Sequence, residues 1–409
     1  MAEIGTPDGA PRFALPLLVA LTALGSLSVS IYLPALPVIS DQLNGDAGQA
    51  RLTLSGFLVV FALAQLCYGP LGDRIGRKPP ILAGIALYVA GSLACAAAPS
   101  LHALIAARLL QAAGASAGPA LGRAVLRDIH GGPRLVSALA VVTAAVALSP
   151  MLGPFIGSLI ATHVGWRAIF VMLAVVGVVL AAGIAFLLPE TLARPDPAST
   201  RLRMIASRYV SLLRDSEYAA AVMCGGLLTA GNFAWNAAAP FLLGSMFGIG
   251  PQGYGWVALL VGSGYAAGTL AAGRIARSVT ASVLVYGGLA CSLTGGAVLW
   301  VAALAGAPLP VVVLAVVPFT LGMGVVVPAA AACALSRRPD IAGSAAGMMG
   351  ALQILTGAAG TAAVSLLAVA SLQTLGGILL VSAALATVSG QVALAPLRGQ
   401  RIEPARVDH

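Results

Sequence analysis

Gly69-Pro70-Leu71-Gly72-Asp73-Arg74-Ile75-Gly76-Arg77-Lys78 places four charged residues between two uncharged runs, 52–72 and 79–107. Each run is long enough for one α-helix to cross a bilayer, which takes about 20 apolar residues. Between them the decapeptide reads as a turn at the membrane surface. Its glycines allow a tight bend and close helix approach, and its acid and bases can pair across helix ends.

The rest of the 409-residue chain repeats that alternation. Apolar residues make up 59% and charged residues 9%, against about 25% charged in a soluble domain. Too few charges remain to coat a water-facing surface, which excludes a soluble enzyme, a disordered tail protein and a nucleic-acid-binding domain. The net charge of +9 does not restore the last of these, because the charges sit in the breaks between apolar runs.

In the second half the uncharged runs 218–273, 278–336 and 341–397 are 56, 59 and 57 residues long. Each is too long for one spanning helix and right for two with a turn, and turns fall at 248–253, 305–308 and near 371–373. In the first half the runs cover 13–40, 52–72, 79–107, 135–166 and 168–189, and a further helix around 102–124 carries Arg108 within it. The prediction is an all-α polytopic membrane protein with twelve transmembrane helices in two pseudo-symmetric six-helix halves. The expected boundaries are an N-terminal tail 1–12, a first half 13–189, a central linker 190–217, a second half 218–397 and a C-terminal tail 398–409.

With the N-terminus inside, 19 of the 22 Lys and Arg residues fall in cytoplasmic segments, so both tails are expected to be cytoplasmic. Only Arg51 and Arg167 fall outside, and Arg108 lies within a span. The run 13–40 is too long for a signal peptide and is followed by further spans. Gly72-Asp73-Arg74-Ile75-Gly76-Arg77 aligns with Ala272-Gly273-Arg274-Ile275-Ala276-Arg277 at an offset of 200. Such repeats across a linker are a feature of secondary transporters, whose site lies between the halves.

Several chemistries are excluded or demoted. Lys78 is the only lysine, and its surroundings have the wrong spacing for a phosphate-binding loop, so ATP drive is not expected. Cys67, Cys95, Cys224, Cys291 and Cys333 are scattered through apolar spans and read as packing residues. His102, His130, His163 and His409 lie at helix ends, loops or the tail, so no metal site and no catalytic residue is predicted. Gly114-Ala115-Ser116-Ala117-Gly118 fits a nucleophile-elbow pattern but sits mid-helix without an acid, which favours small-residue helix packing. Gly248, Gly250 and Gly253 fit a dinucleotide pattern but lie in a turn. A membrane-embedded enzyme lacks its reactive cluster, and a channel lacks a half-length re-entrant segment.

The decapeptide, with Gly69, Gly72, Asp73, Arg74, Gly76 and Arg77, resembles the cytoplasmic loop motif of the major facilitator superfamily. Further stretches narrow the resemblance: Tyr32-Leu33-Pro34-Ala35-Leu36-Pro37, Arg108-Leu109-Leu110-Gln111-Ala112-Ala113-Gly114-Ala115, Arg127-Asp128-Ile129, Ser149-Pro150-Met151-Leu152-Gly153-Pro154-Phe155-Ile156-Gly157, Gly165-Trp166-Arg167-Ala168-Ile169-Phe170, Leu188-Pro189-Glu190-Thr191 and Ala342-Gly343-Ser344-Ala345. Together they are similar to the Bcr/CflA group of drug-resistance efflux transporters. That resemblance implies the major facilitator fold in a bacterial cytoplasmic membrane. It also implies a monomer in contact with lipid, without nucleic acid or cofactor, exporting small amphipathic, drug-like molecules by alternating access against inward proton flow.

By the same resemblance, Asp73 pairs with helix-end charge and latches the outward-facing state, supported by Arg74 and Arg77. Pro150, Gly153, Pro154 and Gly157 look like the antiporter motif; a tightly packed helix is the plainer alternative. Arg108 is costly within a span, ~2.5–3.5 kcal/mol, so it is expected to face a wet cavity with Gln111 one turn along, unless it snorkels to the outer boundary. In similar transporters this arginine is linked to proton handling. Asn232 and Asn236 share a helix face beside Phe233 and Trp235, which suits either an amphipathic cavity or helix–helix hydrogen bonds. Tyr32 and Gln353 complete the expected cavity.

One position departs from the group. An aspartate commonly precedes the helix-one tyrosine by two residues; here that residue is Ser30. Every acid reads as lying outside the membrane, so proton coupling falls back on Asp73 or Asp128. The alternative is an uncoupled facilitator or a metabolite or amino-acid exporter of the same fold.

Overall fold

The computed structural model describes residues 13–130, 132–192, 202–276, 278–337, 342–367 and 371–394. The expected tails 1–12 and 398–409 and the middle of the linker, 193–201, lie outside the described residues. By its contacts the chain divides into two compact units, Met1–Ala206 and Ser207–His409. All regular elements among the described residues are helical.

The first unit holds α1 (Ala14–Ser30), a 3-10 turn (Leu33–Ala35), α2 (Leu36–Gln42), α3 (Ala47–Ile75), α4 (Lys78–Ala97), α5 (Leu101–Ala115), α6 (Ala117–Ile129), α7 (Gly132–His163) and α8 (Trp166–Leu187). Short polar caps start several of them. Asp46 accepts the Gln49 N–H at 2.8 Å ahead of α3, and Ser100 accepts that of Ala103 ahead of α5. α1 packs against α6, α7 and α8, while α4 packs against α5 and α8. On α8 the outward stripe is Val171, Val175, Val178 and Val179, all exposed and uniformly apolar, the surface a lipid-facing helix needs.

The pass read as one helix around 102–124 is divided at Ser116 into α5 and α6. Its small residues do what the packing reading requires. A Cβ on Gly114 would strike the backbone of Tyr88 in α4, and one on Gly118 the carbonyl of Leu21 in α1. At the opposite end of this unit, where α1 finishes and α8 begins, Trp166 Nε1 donates to Gln42 Oε1 at 2.9 Å. Arg167 there donates to the Ala98 carbonyl at 3.0 Å.

Within the expected linker lies a further helix, α9 (Leu202–Arg214). The second unit continues with α10 (Ser216–Phe247), α11 (Pro251–Ile275), α12 (Ala281–Leu304), α13 (Leu309–Arg337), α14 (Ala342–Leu366) and α15 (Leu372–Leu394). Its turns fall where glycine, proline and serine placed them. Gly248 and Gly306, with φ of +67° and +63°, follow α10 and α12 in the left-handed region. α10 packs against α13, α14 and α15, much as α1 packs in the first unit. Glu217 pairs with Arg337, and Tyr218 Oη donates to the Ala345 carbonyl at 2.6 Å, joining the start of α10 to the end of α13 and the start of α14. The repeat has a structural counterpart, since α3 ends at Ile75 and α11 at Ile275.

Among the described residues ten helical segments are long and apolar enough to cross a membrane. The other two passes fall short for visible reasons. α5 and α6 are each too short because of the break at Ser116, and α10 is long but diluted by polar residues such as Asn232 and Asn236. The expected count of twelve rests on these two segments in addition to the ten.

Candidate functional site

Two clusters in the first unit gather the chemistry. The first closes the end where α3 stops and α4 starts. Gly76, at φ +96°, ends α3 in a conformation that side-chain-bearing residues rarely adopt. A Cβ there would also collide with the Glu190 carboxylate. That approach lets Glu190 accept the backbone N–H groups of Arg77 (2.8 Å), Lys78 (3.0 Å), Thr191 (3.0 Å) and Leu192 (3.0 Å). Burial pushes the Glu190 carboxyl up, but the four N–H groups outweigh it and hold it below the usual carboxylate range.

Arg77 is the hub of this cluster. Its Nη1 meets Asp73 Oδ1 at 2.5 Å and its Nε meets Asp128 Oδ2 at 2.9 Å, joining α3 to the end of α6. Burial lowers the Arg77 pKa, while hydrogen bonds and charge from Asp128 and Asp73 raise it overall. Thr191 Oγ1 donates to Asp128 at 3.3 Å, and Lys78 Nζ to the Ala185 carbonyl at 2.7 Å. Asp73 thus pairs with Arg77 of its own motif, one helical turn away. Gly72 is buried, Gly69 half-buried and Arg74 exposed.

The second cluster surrounds Arg108. The side chain is 0% exposed, so it does not snorkel to the boundary. Aromatic rings from three other segments close over it. Its guanidinium carbon lies 4.2 Å from the Tyr32 ring centre, 4.1 Å from that of Phe57 and 5.9 Å from that of Phe170. Nη1 donates to Gln111 Oε1 at 2.5 Å, Gln111 Nε2 to Ser92 Oγ at 2.8 Å, and Ser92 to the Tyr88 carbonyl at 2.7 Å. Tyr32 Oη lies 3.0 Å from Thr53 Oγ1. Nε and Nη2 of Arg108 have no protein acceptor.

α7 carries the proline–glycine motif against α1. A Cβ on Gly157 would fall on the Ile31 carbonyl, and one on Gly153 on Ser30 Oγ. Pro150 and Pro154 both lie inside the helix, where each lacks the N–H that would close a helical hydrogen bond. Ser30 is buried and donates to the Ser149 carbonyl at 3.2 Å.

Of the expected cavity residues, Tyr32, Arg108 and Gln111 therefore meet within the first unit. Asn232, Trp235 and Asn236 on α10 and Gln353 on α14 belong to the second. There Trp235 is buried to 1% exposure, the two asparagines are half-buried, and Gln353 Nε2 is buried with no protein acceptor. Among the described residues no group of three His, Cys, Asp or Glu side chains is placed to hold a metal ion. Phe57, Ser92 and Thr53 escape sequence reasoning because nothing distinguishes them within apolar runs. Phe170 and Glu190 stand inside quoted motifs, where their chemistry was legible but their partners were not.

Two units built of apolar, span-length helices, with these clusters in the first, define a polytopic membrane protein. Residues 18–361 match the family model described as Major Facilitator Superfamily, and the chain belongs to that family. It is 30% identical over 354 residues to "Uncharacterized MFS-type transporter YdgK" of Bacillus subtilis, spanning 86% of this chain and 88% of that one. It is 29% identical over 342 residues to "Multidrug resistance protein D" of Escherichia coli, spanning 83% and 85%. To the "Bicyclomycin resistance protein homolog" of Haemophilus influenzae it is 28% identical over 340 residues, again 83% and 85%. These relatives place its similarity with the Bcr/CflA group. In fold it matches a solved bacterial homologue of the human lysosomal transporter Spinster, with TM-score 0.74, 13% identity and coverage of 94% and 97%.

Proposed function

We propose that this chain is an efflux transporter of small amphipathic, drug-like compounds in a bacterial cytoplasmic membrane. It works as a monomer with both termini inside, by alternating access and without a cofactor. The observation that carries this reading is the α1–α7 seam, where Gly153 and Gly157 bring two backbones together beside two helix-interior prolines. The names of the Escherichia coli and Haemophilus influenzae relatives support it.

In the first form of the proposal, protons flow inward in exchange. Asp73 and Asp128 are then the acids that take part, since protonating either loosens its hold on Arg77. Arg108, held by Gln111 and the aromatic rings, has a part in positioning and attraction. Tyr32, Gln111, Asn232, Trp235, Asn236 and Gln353 would line or support the path of the substrate. One observation favours a second form, an uncoupled facilitator or metabolite exporter: Ser30 spends its hydroxyl on the Ser149 carbonyl, and no acid stands near it in the first-unit spans.

Transport by the purified chain in vesicles with an imposed pH gradient tests both forms. One-for-one antiport shifts the substrate ratio about tenfold per pH unit, and Asp128→Asn abolishes that shift. A ratio indifferent to the gradient leaves the uncoupled form. If no compound of a drug panel moves, and expression gives an efflux-deficient host no resistance, the efflux reading itself is wrong.

A further inference from the structure

We infer that Arg108 is the binding point for the anionic group of an amphipathic substrate, which leaves the cell under the membrane potential. The inference rests on the efflux reading and gives it a substrate class.

A guanidinium taken fully out of water is tolerated only with compensation. Here the compensation is partial. Tyr32 and Phe57 cover its faces and Gln111 takes Nη1, but Nε and Nη2 keep no acceptor. Those two nitrogens form the side-on fork of the guanidinium, the geometry that receives a carboxylate or sulfonate through two parallel hydrogen bonds. No resident acid can fill it. The segments that build the cluster, 13–40, 47–72, 79–127 and 129–189, contain no Asp or Glu. A charge-assisted pair is therefore missing its anion within the protein, and a substrate can supply it.

The surroundings restrict the class. One cation neutralises one negative charge, so a dianion would carry an uncompensated charge into an apolar shell. The rings of Tyr32, Phe57 and Phe170 suit an apolar body beside the charged group. Admission requires the helix ends that carry these rings, all within the first unit, to part. With the cell interior negative, a monoanion moves outward downhill, by about 50-fold in concentration ratio per 100 mV. No proton-carrying side chain is needed in the spans.

The test uses the full chain in proteoliposomes with a potential set by valinomycin and potassium. Three probes of similar shape are compared: naphthalene-1-sulfonate, neutral naphthalene-1-sulfonamide and the cation N-methylquinolinium. The sulfonate is expected to move towards the positive side and approach the 50-fold ratio at 100 mV. It should also raise the melting temperature of the wild-type chain. Arg108→Gln should abolish both effects, and Arg108→Lys, which keeps the charge but loses the fork, should weaken sulfonate transport at least tenfold. If Arg108→Gln does not fold, Arg108→Lys decides. Equal sulfonate transport by Arg108→Lys overturns the assignment of the fork. If the sulfonamide or the cation moves and the sulfonate does not, the anion inference falls while the efflux reading stands. Failure of all three probes to move overturns the anion inference, and the drug panel then decides the efflux reading separately. A melting shift from chloride replacing gluconate, without sulfonate transport, marks an inorganic-anion site and overturns the substrate assignment.

Discussion

Glu190 is one carboxylate serving four backbone N–H groups, two of them from the turn that separates α3 from α4. Because its folded pKa is depressed, the stability it adds is complete above the ordinary glutamate value of about 4.3 and is lost as pH falls through the folded value. Melting curves of the purified chain should therefore show a loss on acidification below about pH 4.3 that Glu190→Gln lacks, because the amide does not titrate. The same residue measures how far sequence reasoning reaches. Leu188-Pro189-Glu190-Thr191 was legible as the close of a helix. That Glu190 caps a turn 113 positions earlier depends on the Gly76 backbone, which only three dimensions reveal.

At the scale of elements, the seam between α1 and α7 separates two glycines that look alike in sequence. An added methyl at Gly157 meets the Ile31 carbonyl, which can move only with its helix, whereas one at Gly153 meets the rotatable Ser30 hydroxyl. Gly157→Ala should thus cost about 1–3 kcal/mol through forced separation of the helices. Gly153→Ala should cost little beyond the Ser30–Ser149 hydrogen bond, about 0.6 kcal/mol for such bonds in membranes. Unfolding of the two variants in detergent checks the order. Helix positions were readable because glycine, proline and polar caps punctuate the chain at 248–253 and 305–308. α9 is not legible as a helix because Arg203, Arg208 and Arg214 mask the helical spacing of Leu202, Ile205, Tyr209 and Leu212 in the sequence. The break at Ser116 sits among small residues, and its signal is Pro119, which falls in the first turn of α6 and has no N–H to donate to the Ala115 carbonyl.

On the whole-molecule scale, the offset of 200 pairs Ile75 with Ile275 at two helix ends, yet the decoration differs, Asp73 answering to Gly273 and Gly76 to Ala276. Composition made the repeat and the membrane-spanning character of the chain legible. The setting of Arg108 was not legible, because burial by Phe57 and Phe170 is a long-range property. Orientation remains a proposal with a direct check. Lys78 is the sole lysine, so an impermeant amine reagent should modify its side chain in inverted vesicles at least tenfold more than in intact cells; the opposite ratio would reverse the topology.

The fastenings at the two ends of the first unit differ in kind. Where α3 meets α4, Asp73, Asp128 and Glu190 hold the structure through carboxylates. At the far end, Trp166 holds Gln42 and Arg167 holds the Ala98 carbonyl, bonds accepted by neutral amide and carbonyl oxygens; the carboxylate of Asp46, capping α3, is the exception. The α3–α4 end is clasped mainly by charge, the far end mainly by neutral acceptors. The unit is in this sense vectorial: one bundle of helices is closed by ionic chemistry at one end and by amide and carbonyl chemistry at the other.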